Sequence, residues 1–330
     1  MTTAEKTPPW SIEQLEPGRG GWRAIAGKEL ADHLYSGRFV VLLAVLGIAT
    51  AAAVFAASGA IREVAQEAEG ISALFLKLFT ETVEPVPFPL IIFVSLLAPL
   101  LGIMFGFDSV NGERAQGTLP RLLSQPIHRD EVILGKFMAG IAVIAIMLTA
   151  LVVFVAGVGI FRLGVTPSAS DVSRLMVWLS MTILYVAFWQ GLATLISVRT
   201  TRAATSALIP VGVWLVLALF GGFIFGAVAD VISPEDGSQS AALEHARTEH
   251  MLSQLSPITL YQQGSTVLLD PQVRATGPLT LEQVDRAVFS ELNLTQSLGV
   301  IWPQVILLLA MTSIMFALSY VSFMRQEVRA

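Results

Sequence analysis

The residues with the most distinctive chemistry lie in a short polar segment between two long apolar stretches. Its centre contains Glu113, Arg114, Gly117 and Thr118. Gly117 permits a turn, and Thr118 is a fitting N-cap for a helix that follows it. Pro126 ends that helix after about two turns, because proline disfavours the helical conformation in the residue before it. The spacing therefore predicts a turn followed by a short helix.

The predicted short helix has one apolar side. Three leucines share that side: Leu119, Leu122 and Leu123. Arg121 lies on another side. Because a helix of this length is not stable alone, its apolar side predicts docking onto a partner or onto the protein's own helices.

Several kinds of chemistry are excluded by the sequence. There is no cysteine, so there is neither a thiolate metal site nor a cysteine nucleophile. There is also no His-Glu-x-x-His, Gly-x-Ser-x-Gly or Gly-x-x-x-x-Gly-Lys-Ser/Thr sequence. These motifs would indicate a metalloprotease, a serine hydrolase or a phosphate-binding loop. We therefore expect a non-catalytic chain without a cofactor of its own.

His245 and His250, beside Glu244 and Glu249, suggest a metal site at first sight. Five residues correspond to about 500° of helix, which leaves the two imidazole rings on different sides. A solvated polar helix is the better interpretation.

The elements around the polar segment belong to a membrane protein. Of the 330 residues, 54% are apolar and only 14% are charged, whereas soluble domains are about 25% charged. The pI near 5.4 does not suggest a nucleic-acid-binding face. Six stretches without charged residues are long enough to cross a bilayer: 39–60, 85–107, 137–161, 175–198, 203–229 and 292–324. A seventh, 250–269, is interrupted by glutamines, serines and Pro257, so we expect a loop there.

The distribution of charge predicts the topology. Residues 1–38, 108–136, 199–202 and 325–330 carry 13 Lys/Arg and 10 Asp/Glu, a balance of +3. Residues 62–84, 162–174 and 230–291 carry 7 Lys/Arg and 15 Asp/Glu, a balance of −8. The positive-inside rule then places both termini in the cytoplasm. The transmembrane domain lies between them in the sequence, over 39–324. None of the six stretches contains Asp, Glu, Lys, Arg or His, which disfavours a proton- or ion-coupled carrier.

Other segments lead to further expectations. Residues 1–21 are predicted to be a flexible tail, and 22–34 an amphipathic helix in the cytoplasmic interface. A second amphipathic helix is predicted outside, over 61–78, with external helices around 241–255 and 280–292. Two Gly-x-x-x-Gly pairs, Gly102 with Gly106 and Gly222 with Gly226, predict close helix approach.

One part of the sequence resembles a known family. Glu113-Arg-x-x-Gly-Thr-Leu119, then Leu-Leu-Ser-x-Pro126, Arg129 and Gly135-Lys136 resemble the signature of ATP-binding cassette (ABC) type 2 exporter permeases. Within that family the similarity is greatest to the permease of the nitrous oxide reductase maturation system.

The resemblance implies a six-span permease of the plasma membrane that dimerises with a second copy and sits on two cytoplasmic ATPase subunits. ATP and Mg²⁺ would bind to those subunits, and an extracytoplasmic protein is a further expected partner. The loop 108–136 would hold the coupling helix that contacts the ATPase. By position, the contact residues would be Glu113, Arg114, Gly117, Thr118, Leu119, Arg121 and Arg129.

Three alternatives remain at this point. Glu113 and Arg114 can be a solvated ion pair of little energetic value. The whole chain can be an ATP-independent carrier or channel. It can also be a non-transporting adaptor in which the ATPase drives the external segment 230–291 mechanically.

Overall fold

The computed structural model describes residues 21–67, 74–82, 88–118, 127–164, 166–234, 237–278 and 291–326, and these contain helices but no strand. In chain order the helices are α1 (Gly21–Leu34), α2 (Gly37–Glu67), α3 (Lys77–Thr80), α4 (Leu90–Gly106), α5 (Asn111–Ala115), α6 (Arg129–Leu163), α7 (Ala169–Arg199), α8 (Ala203–Ile232), α9 (Gln239–Ser253), α10 (Pro257–Leu269) and α11 (Leu294–Met324). We call the end of the bundle that contains α1, α5 and Gln326 the proximal end, and the end that contains α9 and α10 the distal end.

The six predicted spans are confirmed. In the described residues, six helical segments are long and apolar enough to cross a membrane: Gly37–Gly59, Leu90–Ala115, Arg129–Leu163, Ala169–Arg199, Ala203–Ile232 and Leu294–Met324. The third begins at Arg129 rather than Phe137, because a capping box lets the charged first turns remain helical: the backbone N–H of His128 donates to Glu131 Oε2 at 3.2 Å. The protein is therefore an all-α membrane protein.

Helix α7 lies at the centre of the bundle and packs against α4, α6, α8, α10 and α11. Its contact with α4 depends on Gly102 and Gly106. A Cβ added at Gly106 would lie 2.6 Å from the backbone oxygen of Gln190, and one at Gly102 would lie 2.8 Å from the backbone nitrogen of the same residue. Gly102 and Gly106 therefore allow α4 and α7 to approach closely, as predicted. Gly222, in the second pair, has no neighbour within 4 Å in the described chain.

The prediction of a loop over residues 250–269 was wrong. Residues 250–253 end α9, and α10 follows from Pro257 to Leu269, with Ser256 Oγ accepting a hydrogen bond from the backbone N–H of Thr259. The helix packs against α4, α7 and α11, and Tyr261 is completely buried. Its polar side chains were expected to be unsatisfied in lipid, but α10 is covered by protein instead.

Glutamine side chains of this distal region find partners inside the bundle. Gln262 Nε2 donates to Ser95 Oγ of α4 at 2.9 Å. Gln263 Oε1 accepts from Gln254 Nε2 at 3.0 Å and from Gln304 Nε2 of α11 at 3.3 Å. These hydrogen bonds explain how a glutamine-containing helix is accommodated between apolar spans.

A buried arginine joins the distal ends of three helices. Arg174, near the start of α7, is only 2% exposed. Its Nη1 donates to the backbone oxygen of Leu268 at 2.9 Å and to Ser297 Oγ at 3.0 Å, and its Nη2 donates to the backbone oxygen of Leu292. The guanidinium thus binds the end of α10 and the start of α11 to α7.

The segments outside the spans agree only partly with expectation. Helix α1 forms over the range predicted for the first amphipathic helix and packs against α6, while its place in the membrane interface stays a prediction. The second amphipathic helix is wrong in its first part, since Ile61 continues α2 instead of starting a new helix. Helix α9 matches the helix expected around 241–255. The tail 1–20, residues 68–73 and the predicted helix over 280–290 lie outside the described residues.

Candidate coupling site

Helix α5 carries the first of the predicted coupling residues and is held against the end of α7. The backbone N–H groups of Val110 and Asn111 both donate to Ser197 Oγ, at 3.1 and 3.2 Å. A five-residue helix has few hydrogen bonds of its own, so these tertiary contacts fix its position.

Beneath α5 lies a small apolar cluster, which we call the proximal cluster. Its buried members are Ile25, Val110, Val132, Ile133, Val198 and Phe323. They come from α1, the residue before α5, α6, α7 and α11. The proximal cluster therefore joins the start of α5 to four other helices.

Glu113 forms an ion pair with the start of the third span. Its Oε1 lies 2.7 Å from Lys136 Nζ on α6, and the Lys136 side chain is only 5% exposed. Lys136 Nζ also lies 3.0 Å from Glu29 Oε1 on α1. One buried ammonium group thus connects α1, α5 and α6, and removal of one partner from a buried pair typically costs about 3–5 kcal/mol.

Arg114 and Arg129 meet at the other side of α5, through the C-terminal segment. Arg114 Nη2 donates to Gln326 Oε1 at 2.5 Å, and Arg129 Nη1 donates to the backbone oxygen of Gln326 at 3.2 Å. Glu113 and Arg114 therefore do not form the solvated ion pair that was considered as an alternative. The two residues have separate partners within the chain.

Gly117 and Thr118 form an exposed turn after α5. Gly117 has φ +69°, in the left-handed region that favours glycine, as its predicted role in a turn requires. The backbone N–H and Oγ1 of Thr118 donate to the backbone oxygen of Glu113, at 3.0 and 3.2 Å. Leu119 and Arg121 lie outside the described residues, as does the helix that Thr118 was predicted to cap.

Residues 23–328 match the family model described as ABC-2 family transporter protein. The chain belongs to the ABC-2 transporter family. None of the curated proteins compared matches it. As an ABC-2 permease, it is a transmembrane component of an ABC transporter.

Next to the predicted coupling residues, the ABC-2 permease has a cavity of about 490 Å³ between α1, α2, α4, α5 and α6. Charged side chains of both signs line it: Lys28, Arg38, Lys136, Glu29, Asp32, Asp108 and Glu113. They are largely paired with one another, as in the 2.5 Å contact of Arg38 Nη1 with Asp108 Oδ2. His33 also lines the cavity, and its pKa is lowered because burial disfavours the charged imidazole.

The histidines at the distal end of the permease do not converge. His245 Nδ1 lies 3.0 Å from the backbone oxygen of Ser233, and its Nε2 lies 3.7 Å from Asp230 Oδ1. The His250 ring instead lies 3.4 Å from the side-chain nitrogen of Gln254. Helix α9 packs one side against α8, and Thr248 is its one buried residue, in line with the interpretation as a solvated polar helix. No group of three or more metal-ligating side chains occurs in the described ranges.

Sequence reasoning missed the partners that organise the site. Lys136 was part of the quoted family pattern but had no predicted role, and Glu29, Ser197 and Gln326 were not singled out. The one available signal was Lys136 itself, the last charged residue before the third uncharged stretch. Its partners lie on distant parts of the sequence, so no spacing rule links them.

Proposed function

We propose that this permease is the membrane subunit of an ATP-driven exporter, and that a separate cassette ATPase binds at its proximal end. The observation that carries the proposal is the junction of Glu29, Glu113 and Lys136. Through it, a displacement of α5 by the ATPase would act directly on the third span and on α1.

The energy for this cycle has to come from another polypeptide. The sequence has no phosphate-binding loop, so ATP and Mg²⁺ would bind to the ATPase. The exposed residues from Ala115 to Thr118 offer a contact surface beside α5. Leu119 and Arg121 extend this proposed surface on the basis of the family pattern.

The proposed complex contains two permease copies and two ATPase subunits in the plasma membrane, with the proximal end in the cytoplasm. The charge balance of the loops supports this orientation. Helix α8 supports contact with a second copy or with lipid, because large apolar side chains are exposed along it: Leu208, Ile209, Leu219, Phe220, Phe223, Val231 and Ile232. The closer similarity to the nitrous oxide reductase maturation permease remains part of this proposal and rests on the sequence pattern alone.

A mechanical adaptor is the second candidate. It is favoured by the firm attachment of the distal helices to the bundle, through Arg174 and through the burial of α10. In that case ATP-driven motion would reach an extracytoplasmic protein without solute passing through the permease.

The first test is affinity purification of the tagged permease from its native membrane in mild detergent, followed by protein identification and an ATP hydrolysis assay. We expect a cassette ATPase in equal copy number. The variant Gly117→Trp, on an exposed turn, should insert into the membrane normally but retain much less ATPase. Glu113→Lys should also insert and retain much less ATPase, but its thermal stability should fall as well, because it sets a like charge against the buried Lys136. Glu244→Lys makes the same charge change on the exposed distal side and should have no effect.

Three other outcomes would contradict the coupling role of α5 or favour one of the alternative functions. Unchanged ATPase association and stimulation in both proximal variants would remove the coupling role from α5. A permease that purifies alone and moves solute across liposomes without ATP would be a carrier. An extracytoplasmic protein that co-purifies with the ATPase, in the absence of solute movement, would favour the adaptor.

A further inference from the structure

Gln326, two residues beyond the end of α11, holds three parts of the proximal end together. Its Oε1 accepts from Arg114 of α5, its backbone oxygen accepts from Arg129 at the start of α6, and its Nε2 donates to the backbone oxygen of Val198 in α7. These three hydrogen bonds place the C-terminal segment directly against two of the predicted coupling residues.

The side-chain contacts require an amide. One end of the group must accept from a guanidinium, and the other must donate to a carbonyl. A glutamate would keep the first contact but set a carboxylate oxygen against the carbonyl of Val198. An asparagine is one methylene shorter and cannot make both contacts from the same backbone position. Glutamine therefore fits this position chemically.

Gln326 is also firmly anchored to the last span. Its backbone N–H donates to the backbone oxygen of Phe323 at 3.2 Å. Phe323 is 3% exposed and belongs to the proximal cluster, as does Val198. A force applied to the Gln326 side chain would therefore act on α11 and α7 rather than on a free chain end.

The side chains of adjacent residues in α5 thus contact different parts of the bundle. Side chains at successive helical positions point about 100° apart, so Glu113 and Arg114 face different directions. Glu113 reaches α6 and α1 through the Lys136 side chain. Arg114 reaches α11 and α7 through the Gln326 side chain, and only the backbone oxygen of Gln326 also contacts α6, at Arg129.

We propose that Gln326 is a positioning residue that transmits movement of the coupling segment to α11, along a route separate from the Glu113–Lys136 junction. This inference rests on the proposed function, since it needs an ATPase that moves α5. It assigns to the last span, which is distant in sequence from the coupling segment, a direct response to that movement.

The test uses the absence of cysteine from the chain. A single cysteine placed at Leu298, near the distal start of α11, or at Phe161, near the distal end of α6, can carry an environment-sensitive fluorophore, since both side chains are exposed. The labelled permease is purified with its ATPase, and the change in emission on addition of ATP and Mg²⁺ is measured at each position.

In the complex with the natural Gln326, we expect an ATP-dependent change at both positions. The variant Gln326→Leu should retain the ATPase and the response at 161 while reducing the response at 298 at least threefold. The matched control, Arg325→Leu, changes an exposed neighbour and should leave both responses intact. Gln326→Asn is the milder variant and should reduce the response at 298 about twofold. If Gln326→Leu does not fold, the measurement is made on Gln326→Asn instead.

An unchanged response at 298 in these variants, or equal loss at 298 and 161, would overturn the proposal and leave the proposed function standing. So would the absence of any response at 298 in the unaltered complex when position 161 responds. Failure of any ATPase to co-purify with the unaltered permease would contradict the proposed function itself.

Discussion

Glu113 Oε1 and Lys136 Nζ lie 2.7 Å apart, and the lysine side chain is almost completely withdrawn from solvent. This ion pair connects the helix that bears the predicted ATPase contacts to the start of a membrane span. Because Lys136 also contacts Glu29, its charge is shared between two carboxylates from different helices.

Replacement of Lys136 by methionine should strongly destabilise the permease. The change leaves Glu113 and Glu29 without their buried cation, and loss of one partner from such a pair costs about 3–5 kcal/mol. We expect a clear fall in thermal stability in detergent, partly reversed by the double variant Lys136→Met/Glu113→Gln. Lys28→Met is the control, because the exposed Lys28–Asp32 pair at 3.1 Å should contribute less than about 1 kcal/mol. Equal stability of the two single variants would contradict the buried role of Lys136.

The close contact of α4 with α7 predicts a sharp difference between two glycines. Gly106→Leu forces a side chain against the backbone of Gln190 and should abolish folding or lower stability by about 3 kcal/mol or more, as expected for severe overpacking. Gly222→Leu adds a side chain into open space on α8 and should fold normally. Yield and monodispersity after purification would measure both. If Gly106→Leu behaved like Gly222→Leu, the packing of α4 on α7 described above would be wrong.

The role of the exposed turn at Gly117 can be tested by comparison with Gly164, which has nearly the same backbone geometry. Gly117 has φ +69°, and Gly164, which ends α6 at the distal end, has φ +67°. Alanine at either position should cost about 1–2 kcal/mol, since left-handed backbone disfavours a Cβ. Only Gly117→Ala should also reduce stimulation of the ATPase in the purified complex. Equal ATPase stimulation in the two variants would show that the Gly117 turn has no special part in coupling.

The buried position of His33 predicts a dependence of stability on pH. Burial lowers the pKa of this imidazole below its ordinary value of 6.5, so the unfolded chain binds a proton more readily than the folded chain. Stability should therefore be highest above the ordinary pKa of 6.5 and fall as the pH is lowered below it. His33→Gln should show a smaller decrease over this range in thermal unfolding. A pH dependence that is the same in both proteins would rule out His33 as a contributor.

The spans were predictable because hydropathy acts locally: an uncharged stretch long enough to cross a bilayer is visible in any one part of the sequence. The same reasoning failed for α10. It disfavoured contact of Gln262 and Gln263 with lipid, but it did not consider a helix surrounded by other helices. Ser95 and Gln304, which satisfy these glutamines, come from α4 and α11.

At the candidate site, the turn at Gly117 could be predicted because it depends on the backbone freedom of that one glycine. The partners of Glu113, Arg114 and Arg129 were not predictable in the same way. Lys136 lies on α6, Glu29 on α1 and Gln326 after α11, so they reach these residues only when those elements pack around α5. Their spacing along the chain does not predict these contacts.

The buried guanidinium of Arg174 also has a consequence for biosynthesis. Two of its acceptors, Leu268 and Ser297, lie on either side of the segment that leads into the last span. During synthesis α10 is complete before α11 has been made, so it lacks the helix against which it finally packs. The distal region therefore reaches its final place only after the last span has been inserted. A nascent chain truncated before α11 would present an incompletely covered, glutamine-bearing helix to the proteases that survey membrane proteins.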